Sequence, residues 1–254
     1  MDLKLQGLNA VLTGGTRGIG RAIVDTLLAE GAQVSFCARR VDEVAAAVHA
    51  CASNYGERVH GRALDIADQV ALADWVQEAG ERMRGIDIVI ANVSALAIPS
   101  TEASWSLGFG VDLMGTVRLV DAAMPYLLRS QAASIVTLSS VSGREIDFAA
   151  GPYGAFKAAI VHYTQGLALQ LAGRGIRANS VSPGNTYFAG GVWETIEHDN
   201  PDLFREALAL NPTGRMGTPQ EVANAAVFLA SPAASFISGT NLVVDGALTR
   251  GVQL

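Results

Sequence analysis

Thr13-Gly14-Gly15-Thr16-Arg17-Gly18-Ile19-Gly20 lies between an apolar run, Leu8 to Leu12, and a stretch from Arg21 to Glu30 whose Ile23, Val24, Leu27 and Leu28 recur at helical spacing. The local order is buried strand, tight turn, helix. Glycine at 14, 18 and 20 lets the backbone bend sharply and come close to a ligand, and the free N–H groups that open the helix favour an anion such as a pyrophosphate. The spacing, G-x-x-x-G-x-G, is one residue wider in its first gap than the fingerprint G-x-G-x-x-G. It matches that fingerprint in mechanism and not in letter. A glycine turn needed only for close helix-to-strand packing is the competing reading of this motif by itself.

Outward from the turn, the chain alternates. Gln33 to Ala38 reads as a strand, Val41 to Ser53 as a helix, Arg58 to Leu64 as a strand, and Asp68 to Met83 as a helix with Asp68 as its N-cap. Asp87 to Ala91 is a continuous apolar run of the kind expected in a parallel strand covered on both faces. Thr101 to Arg129 reads as one helix with Pro125 late in it, Ser134 to Leu138 as a strand, Pro152 to Ala172 as a helix with proline in its first turn, and Ile176 to Val181 as a strand. A helix from Pro219 to Ala230 and a strand from Asn241 to Val244 close the series. Such alternation predicts an α/β fold with a doubly wound, Rossmann-like parallel sheet. Asn185 to Pro212 breaks the rhythm with glycines, aromatics and two short helical patterns, and reads as a lid over residues 185–212.

The 254 residues suit one domain spanning 1–254, since no linker-like run divides them. Half the residues are hydrophobic, 17% are charged, and the net charge is −6. That balance disfavours nonspecific attraction to nucleic acid or anionic lipid, so a small soluble ligand is the expected partner. No apolar signal core and no run approaching ~20 apolar residues is present, which points to a cytoplasmic protein without a membrane segment. Cys37 and Cys51 are too few for a disulfide framework, and they do not cluster with the four histidines as a zinc site would. They read as packing residues, and no metal is expected.

After the second strand, where an acidic residue would bind the ribose 2′-hydroxyl of NAD, stand Cys37-Ala38-Arg39-Arg40 with no carboxylate. Arg39 and Arg17 are placed to reach a 2′-phosphate, which suits a guanidinium. The residues favour NADP(H), with NAD(H) the less favoured cofactor. Taken alone, Arg39 and Arg40 also read as a solvated pair capping the next helix. Asp65, after the third strand, could accept from an adenine amino group or cap a turn.

A second constellation lies further on. Ser140 follows a strand, and Tyr153 and Lys157, at i and i+4, share one helix face. An ammonium beside a phenol favours the phenolate, as does a cationic nicotinamide, and so brings an otherwise weak acid, with a pKa near ~10, into use. A serine hydroxyl there can steady a substrate oxygen while the proton moves.

Together these residues resemble the classical short-chain dehydrogenase/reductase family over essentially the full chain. TGGTRGIG at 13–20, LDIAD at 64–68, TLSSVSG at 137–143, YGAFK at 153–157, IRANSVSPG at 176–184 and the run from Gly214 to Ala247 carry the resemblance. It implies a sheet of seven parallel strands with helices on both faces and a homotetramer or homodimer, with the helices at 101–129 and 152–172 forming the subunit contact. It also implies roles: Tyr153 exchanges the proton with the carbonyl or alcohol oxygen, Ser140 orients that oxygen, and Lys157 binds the nicotinamide ribose and lowers the tyrosine pKa. Gly14, Thr16, Arg17, Gly18, Ile19 and Gly20 would hold the cofactor with Arg39, Arg40, Asp65, Ile66 and Asn92, and with Pro183, Gly184 and Thr186 at the nicotinamide end.

Three positions depart from the family pattern. Ala91-Asn92-Val93-Ser94 stands where N-N-A-G is usual, Asp112 stands where an asparagine usually completes a tetrad by holding a water, and Phe188 stands where a threonine often meets the carboxamide. A carboxylate at 112 either displaces the tyrosine pKa and the pH optimum upward or pairs with Lys157 or a backbone group and changes little. The reading that follows is an NADP(H)-dependent oxidoreductase moving hydride between nicotinamide and a carbonyl or secondary alcohol, with 3-oxoacyl compounds and other ketones as candidates. A non-catalytic NADP(H)-binding sensor or structural subunit is the alternative.

Overall fold

The computed structural model describes residues 1–251. Seven strands form one sheet: β1 Asn9–Thr13, β2 Gln33–Ala38, β3 Val59–Ala63, β4 Ile88–Ala91, β5 Ser134–Leu138, β6 Arg177–Pro183 and β7 Asn241–Val244. All pair in parallel, in the order β3-β2-β1-β4-β5-β6-β7. The direction of winding reverses between β1 and β4. A crevice therefore opens at the carboxyl ends of those two strands, the place where open parallel sheets receive ligands.

Side-chain alternation sorts the strands' apolar residues onto two faces. Ala10 and Leu12 of β1 join Phe36, Ile88 and Ile90 in a core covered by α1 (Gly18–Ala29), α2 (Val41–Tyr55) and α9 (Pro219–Ala230), through Ile23, Leu27, Val44, Val222 and Val227. Val11, Val89 and Ile135 face the other way, onto Leu72 and Trp75 of α3 (Gln69–Met83), Leu119 and Leu127 of α5 (Met114–Leu127) and Leu167 of α6 (Pro152–Leu171). Truncating one of these fully buried leucines to alanine should cost roughly 2–5 kcal/mol. Trp75 keeps its indole N–H satisfied by donating to Ser35 Oγ at 3.0 Å. Both cysteines are free and buried, and burial pushes the Cys37 thiol up to about 12.

The helix expected from 101 to 129 is interrupted. It begins as α4 (Glu102–Gly108), opens into a π-helical turn over Phe109–Leu113, and resumes as α5. The wider turn carries Asp112 inward, where it is buried. Asp68 caps α3 as expected, accepting from the Val70 and Ala71 amides. β6 runs two residues past its expected end because Ser182 and Pro183 still pair with Val243 and Val244.

After β6 the chain forms α7 (Val192–Asp199) and α8 (Pro201–Ala209), joined by a small cluster of Trp193, Ala207 and Met216 with Tyr187 and Phe204 against it. No helix among the described residues is long and apolar enough to cross a membrane. None of their His, Cys, Asp and Glu groups is arranged to hold a metal ion.

Candidate active site

The glycine turn is folded back on β4. Asn92 donates through Nδ2 to the Thr13 and Gly14 carbonyls at 3.0 and 3.2 Å, and through its backbone N–H to Thr13 Oγ1 at 3.0 Å. A Cβ at Gly20 would lie 1.9 Å from the Gly14 carbonyl oxygen and 2.5 Å from Asn92 Nδ2, so only glycine permits this closure. Gly14 and Gly18 take positive φ, 80° and 55°. Among the described residues no side chain caps the start of α1, and its first amides have no helical partner. Tight backbone, left-handed glycines and uncapped amides fit a pyrophosphate group.

Phe188 stands over that turn. A Cβ on Gly18 would meet its ring at 2.6 Å, and Arg17 Nη1 donates to the Gly190 carbonyl at 2.9 Å. The guanidinium expected to reach a 2′-phosphate is thus engaged by the segment before α7. Arg40 pairs with Asp42 and Glu43 in the first turn of α2, the helix-capping arrangement. Arg39 is exposed and forms no ion pair among the described residues. Thr16 lies 3.5 Å from Glu43 Oε2. Asp65 is exposed and accepts the Ala67 amide at 2.9 Å, closing a turn, while Ile66 is buried against Gly115. At the other end of the crevice Gly184 donates to the Val244 carbonyl, and Thr186, buried, donates to the Gly184 carbonyl at 3.1 Å.

Ser140, Tyr153, Lys157 and Asp112 come together beyond the ends of β4 and β5. The short helical turn Val141–Gly143 sits directly on α6: a Cβ at Gly143 would be 2.7 Å from the Lys157 backbone, and one at Gly154 2.8 Å from the Ser142 carbonyl. Ser139, absent from the expected site, donates to the Lys157 carbonyl at 2.8 Å and fixes the helix against the strand end. Its signal was the doubled serine in TLSSVSG.

Lys157 is buried. It donates to the Leu138 carbonyl at 2.9 Å, lies 3.6 Å from Asp112 Oδ1, and places Nζ 5.7 Å from the centre of the Tyr153 ring. Burial lowers its pKa, and the Asp112 carboxylate opposes that shift. Asp112 also accepts from Ser94 Oγ at 2.5 Å and from the Ala95 amide at 2.9 Å. Two departures from the family pattern, Ser94 and Asp112, are thereby partners. Asp112 pairs with both the lysine and a backbone amide.

Tyr153 is half-buried, and its pKa is pushed up to about 12. Burial is the largest cause; the neighbouring Ser140 hydroxyl lowers it, while Asp112 and Asp147 raise it. A protonated phenol, a serine hydroxyl and a buried ammonium around one cleft can deliver a proton to an oxygen and stabilise the charge left behind. Phe148, in the loop between Ser140 and Tyr153, meets Trp193 of α7 edge-on at 5.7 Å between ring centres, and Trp193 and Tyr187 meet Phe204.

A family model described as "Enoyl-(Acyl carrier protein) reductase" matches residues 14–249. Isoepoxydon dehydrogenase patN of Penicillium expansum is 44% identical over 253 residues, covering 98% of this chain and 97% of that one. L-sorbose reductase from Gluconobacter frateurii, solved with NADPH and L-sorbose, superposes with a TM-score of 0.91 at 26% identity over 99% of this chain and 100% of that chain. A short-chain dehydrogenase from Burkholderia cenocepacia J2315, solved with NADP, gives 0.87 at 30% identity over 96% and 99%. With the seven-stranded parallel sheet and the glycine turn at its switch point, these likenesses establish that the chain belongs to the short-chain dehydrogenase/reductase family and is an oxidoreductase.

Proposed function

We propose that this protein is an NADP(H)-dependent carbonyl reductase or alcohol dehydrogenase in which Tyr153 exchanges the proton with the substrate oxygen. The observation that carries this reading is the convergence of Ser140, Tyr153, Lys157 and Asp112 beside the switch-point crevice. When bound, a nicotinamide would supply or take up the hydride. Tyr153, held protonated by burial, is suited to give its proton to a carbonyl oxygen. Lys157 carries the positive charge that stabilises the resulting phenolate, and Asp112 keeps that ammonium charged despite its burial. Ser140 orients the oxygen.

The uncapped amides of α1 would hold the pyrophosphate, with Asp65 and Ile66 toward the adenine and Thr186 toward the nicotinamide. Arg39, exposed and without a partner among the described residues, would take the 2′-phosphate. The NADPH and NADP bound to the two structural neighbours support that preference. The α7–α8 segment acts as a lid whose aromatic inner wall suits a small carbonyl compound, and the oxygen-rich L-sorbose of one neighbour supports a hydroxylated ketone over a long acyl chain.

The test is NADPH oxidation, and NADH oxidation beside it, against ketones, hydroxyketones and 3-oxoacyl thioesters, with Tyr153→Phe as the comparison. NADPH-preferring turnover that falls at least a thousandfold in the variant supports the reading. NADPH binding without Tyr153-dependent turnover on any of these compounds overturns it.

A further inference from the structure

Asp147 lies in the loop between Ser140 and Tyr153, outside the four residues just described, yet both of its oxygens are committed. Oδ1 accepts the Ala149 amide at 2.8 Å, which fixes the carboxylate's orientation, and Oδ2 accepts from Ser142 Oγ at 2.6 Å. A carboxylate accepts and cannot donate, so the Ser142 hydroxyl proton points at Asp147. Ser142 Oγ is left as an acceptor. It receives the Ser140 hydroxyl at 3.3 Å, while the Ser142 amide donates back to Ser140 Oγ at 3.2 Å. The carboxylate at the end of this chain fixes the Ser142 proton and leaves Ser142 Oγ open to the Ser140 hydroxyl.

Ser140 has a single proton to give. Ser142 and Tyr153 compete for that proton: the Ser140 hydroxyl lowers the Tyr153 pKa to the extent that it faces the phenol, and less so while it is drawn to Ser142. We propose that Asp147, acting through Ser142, is a positioning residue that draws the Ser140 hydroxyl toward Ser142 in competition with Tyr153 and so helps keep the tyrosine loaded with its proton for transfer to a carbonyl. The proposal rests on the reading of Tyr153 as the proton donor.

The charges that bear on Tyr153 come from three elements: Lys157 from its own helix, Asp112 from the π-helical turn, and Asp147 from the loop. Lys157 and Asp112 are paired with each other. Asp147 forms no ion pair among the described residues and is linked toward Ser140 through the Ser142 hydroxyl. Its negative charge and its hold on Ser142 therefore act in the same direction, against the phenolate.

Two substitutions separate these effects from damage to the loop. Asp147→Asn removes the charge and keeps an oxygen that accepts from Ser142; Ser142→Ala keeps the charge and frees the Ser140 proton. Either change should lower the Tyr153 pKa. In carbonyl reduction Tyr153 must be protonated, so the alkaline fall in kcat/KM should move to lower pH, by about half a unit or more, in both variants. Asp147→Glu, which restores the carboxylate, should return the limb toward the wild-type position, and the affinity for NADPH should stay within twofold throughout.

A loop that is merely disordered would depress the rate at every pH without moving the limb. An unmoved limb in Ser142→Ala overturns the relay, and an unmoved limb in Asp147→Asn overturns the part given to the carboxylate's charge. Tyr153→Phe, run alongside, keeps the two ideas apart. If it is inactive while both other variants keep the wild-type profile, only the relay falls. If it retains turnover, the reading of Tyr153 itself falls.

Discussion

At Asp112, one carboxylate oxygen accepts from the Ser94 hydroxyl and lies 3.6 Å from Lys157 Nζ, while the other accepts the Ala95 amide. Lys157 has almost no contact with solvent, and burial already lowers its pKa. Replacing Asp112 by asparagine keeps the shape and removes the counter-charge. Breaking a buried pair from one side typically costs about 3–5 kcal/mol, and the retained amide dipole places Asp112→Asn at the lower end of that range. The pH dependence has a definite sign. A lysine whose folded pKa is depressed contributes stability above its unfolded value, near 10.5, and loses it as pH falls through the folded value. Removing Asp112 deepens that depression, so the variant should be most destabilised near pH 6 and recover toward the wild type near pH 10. Urea unfolding at the two pH values measures this, and a pH-independent difference would contradict it. Because Ser94 donates to the same carboxylate, Ser94→Gly and Asp112→Asn should be non-additive by roughly 1 kcal/mol or more in a double-mutant cycle. Additive effects would mean that the contact between these two unusual residues has no energetic content.

At the scale of elements, the glycine turn and the segment leading into α7 are latched together. Arg17 reaches the Gly190 carbonyl, and the Phe188 ring covers Gly18, where the first free amides of α1 begin. If a pyrophosphate binds at those amides beside the ring, the ring would have to turn aside, and its packing would then oppose cofactor binding. Phe188→Ala should strengthen NADPH binding about fivefold, equivalent to ~1 kcal/mol of lost ring contact, and speed its association. Fluorescence titration and stopped-flow mixing measure both; weaker binding in the variant would show that Phe188 supports the cofactor. The helix α9 offers a second test. Thr218 accepts the Glu221 amide, and Glu221 accepts the Thr218 amide, a reciprocal cap to which Arg215 adds a paired contact on the carboxylate. Thr218→Ala should cost ~1 kcal/mol. Arg215 first, then the Thr218 amide, hold the Glu221 pKa at about 2, against 4.5 ordinarily. The stabilisation from Glu221 is therefore present above pH 4.5 and disappears as pH falls through about 2. The loss caused by Glu221→Gln should fade over that window in thermal unfolding; a difference persisting at pH 2 would place its origin elsewhere.

Across the whole molecule, what could be read in advance was what local chemistry repeats. Strands such as Ile88–Ala91 announce themselves as apolar runs because both faces of a parallel sheet are covered, and Tyr153 and Lys157 share a face because a step of four residues is slightly more than one helical turn. The π-helical turn around Asp112 had no such signature: it is set by contacts to Ser94 and Ala95, eighteen and seventeen residues away. The reach of Arg17 to Gly190, across 173 residues, was equally invisible in the local sequence. Assembly belongs to the same class of long-range property. Trp105, Leu107 and Phe109 on α4 and the turn after it are 40–51% exposed, and Trp105 and Phe109 meet Phe156 of α6 at 5.7 and 6.3 Å between ring centres. Aromatics grouped in this way on a surface are costly to leave in water, and a patch contributed by two neighbouring helices can be covered by the same patch of a second copy about a twofold axis. The protein should therefore sediment at micromolar concentration as a multiple of its 26.5 kDa chain mass. Placing charge at the centre of the patch, with Trp105→Asp and Phe109→Asp together, should shift the population toward smaller species while circular dichroism shows the fold retained. A wild-type protein that sediments as a single chain would leave these aromatics without a self-association role, and an assembly unaffected by the double substitution would put the contact on another face.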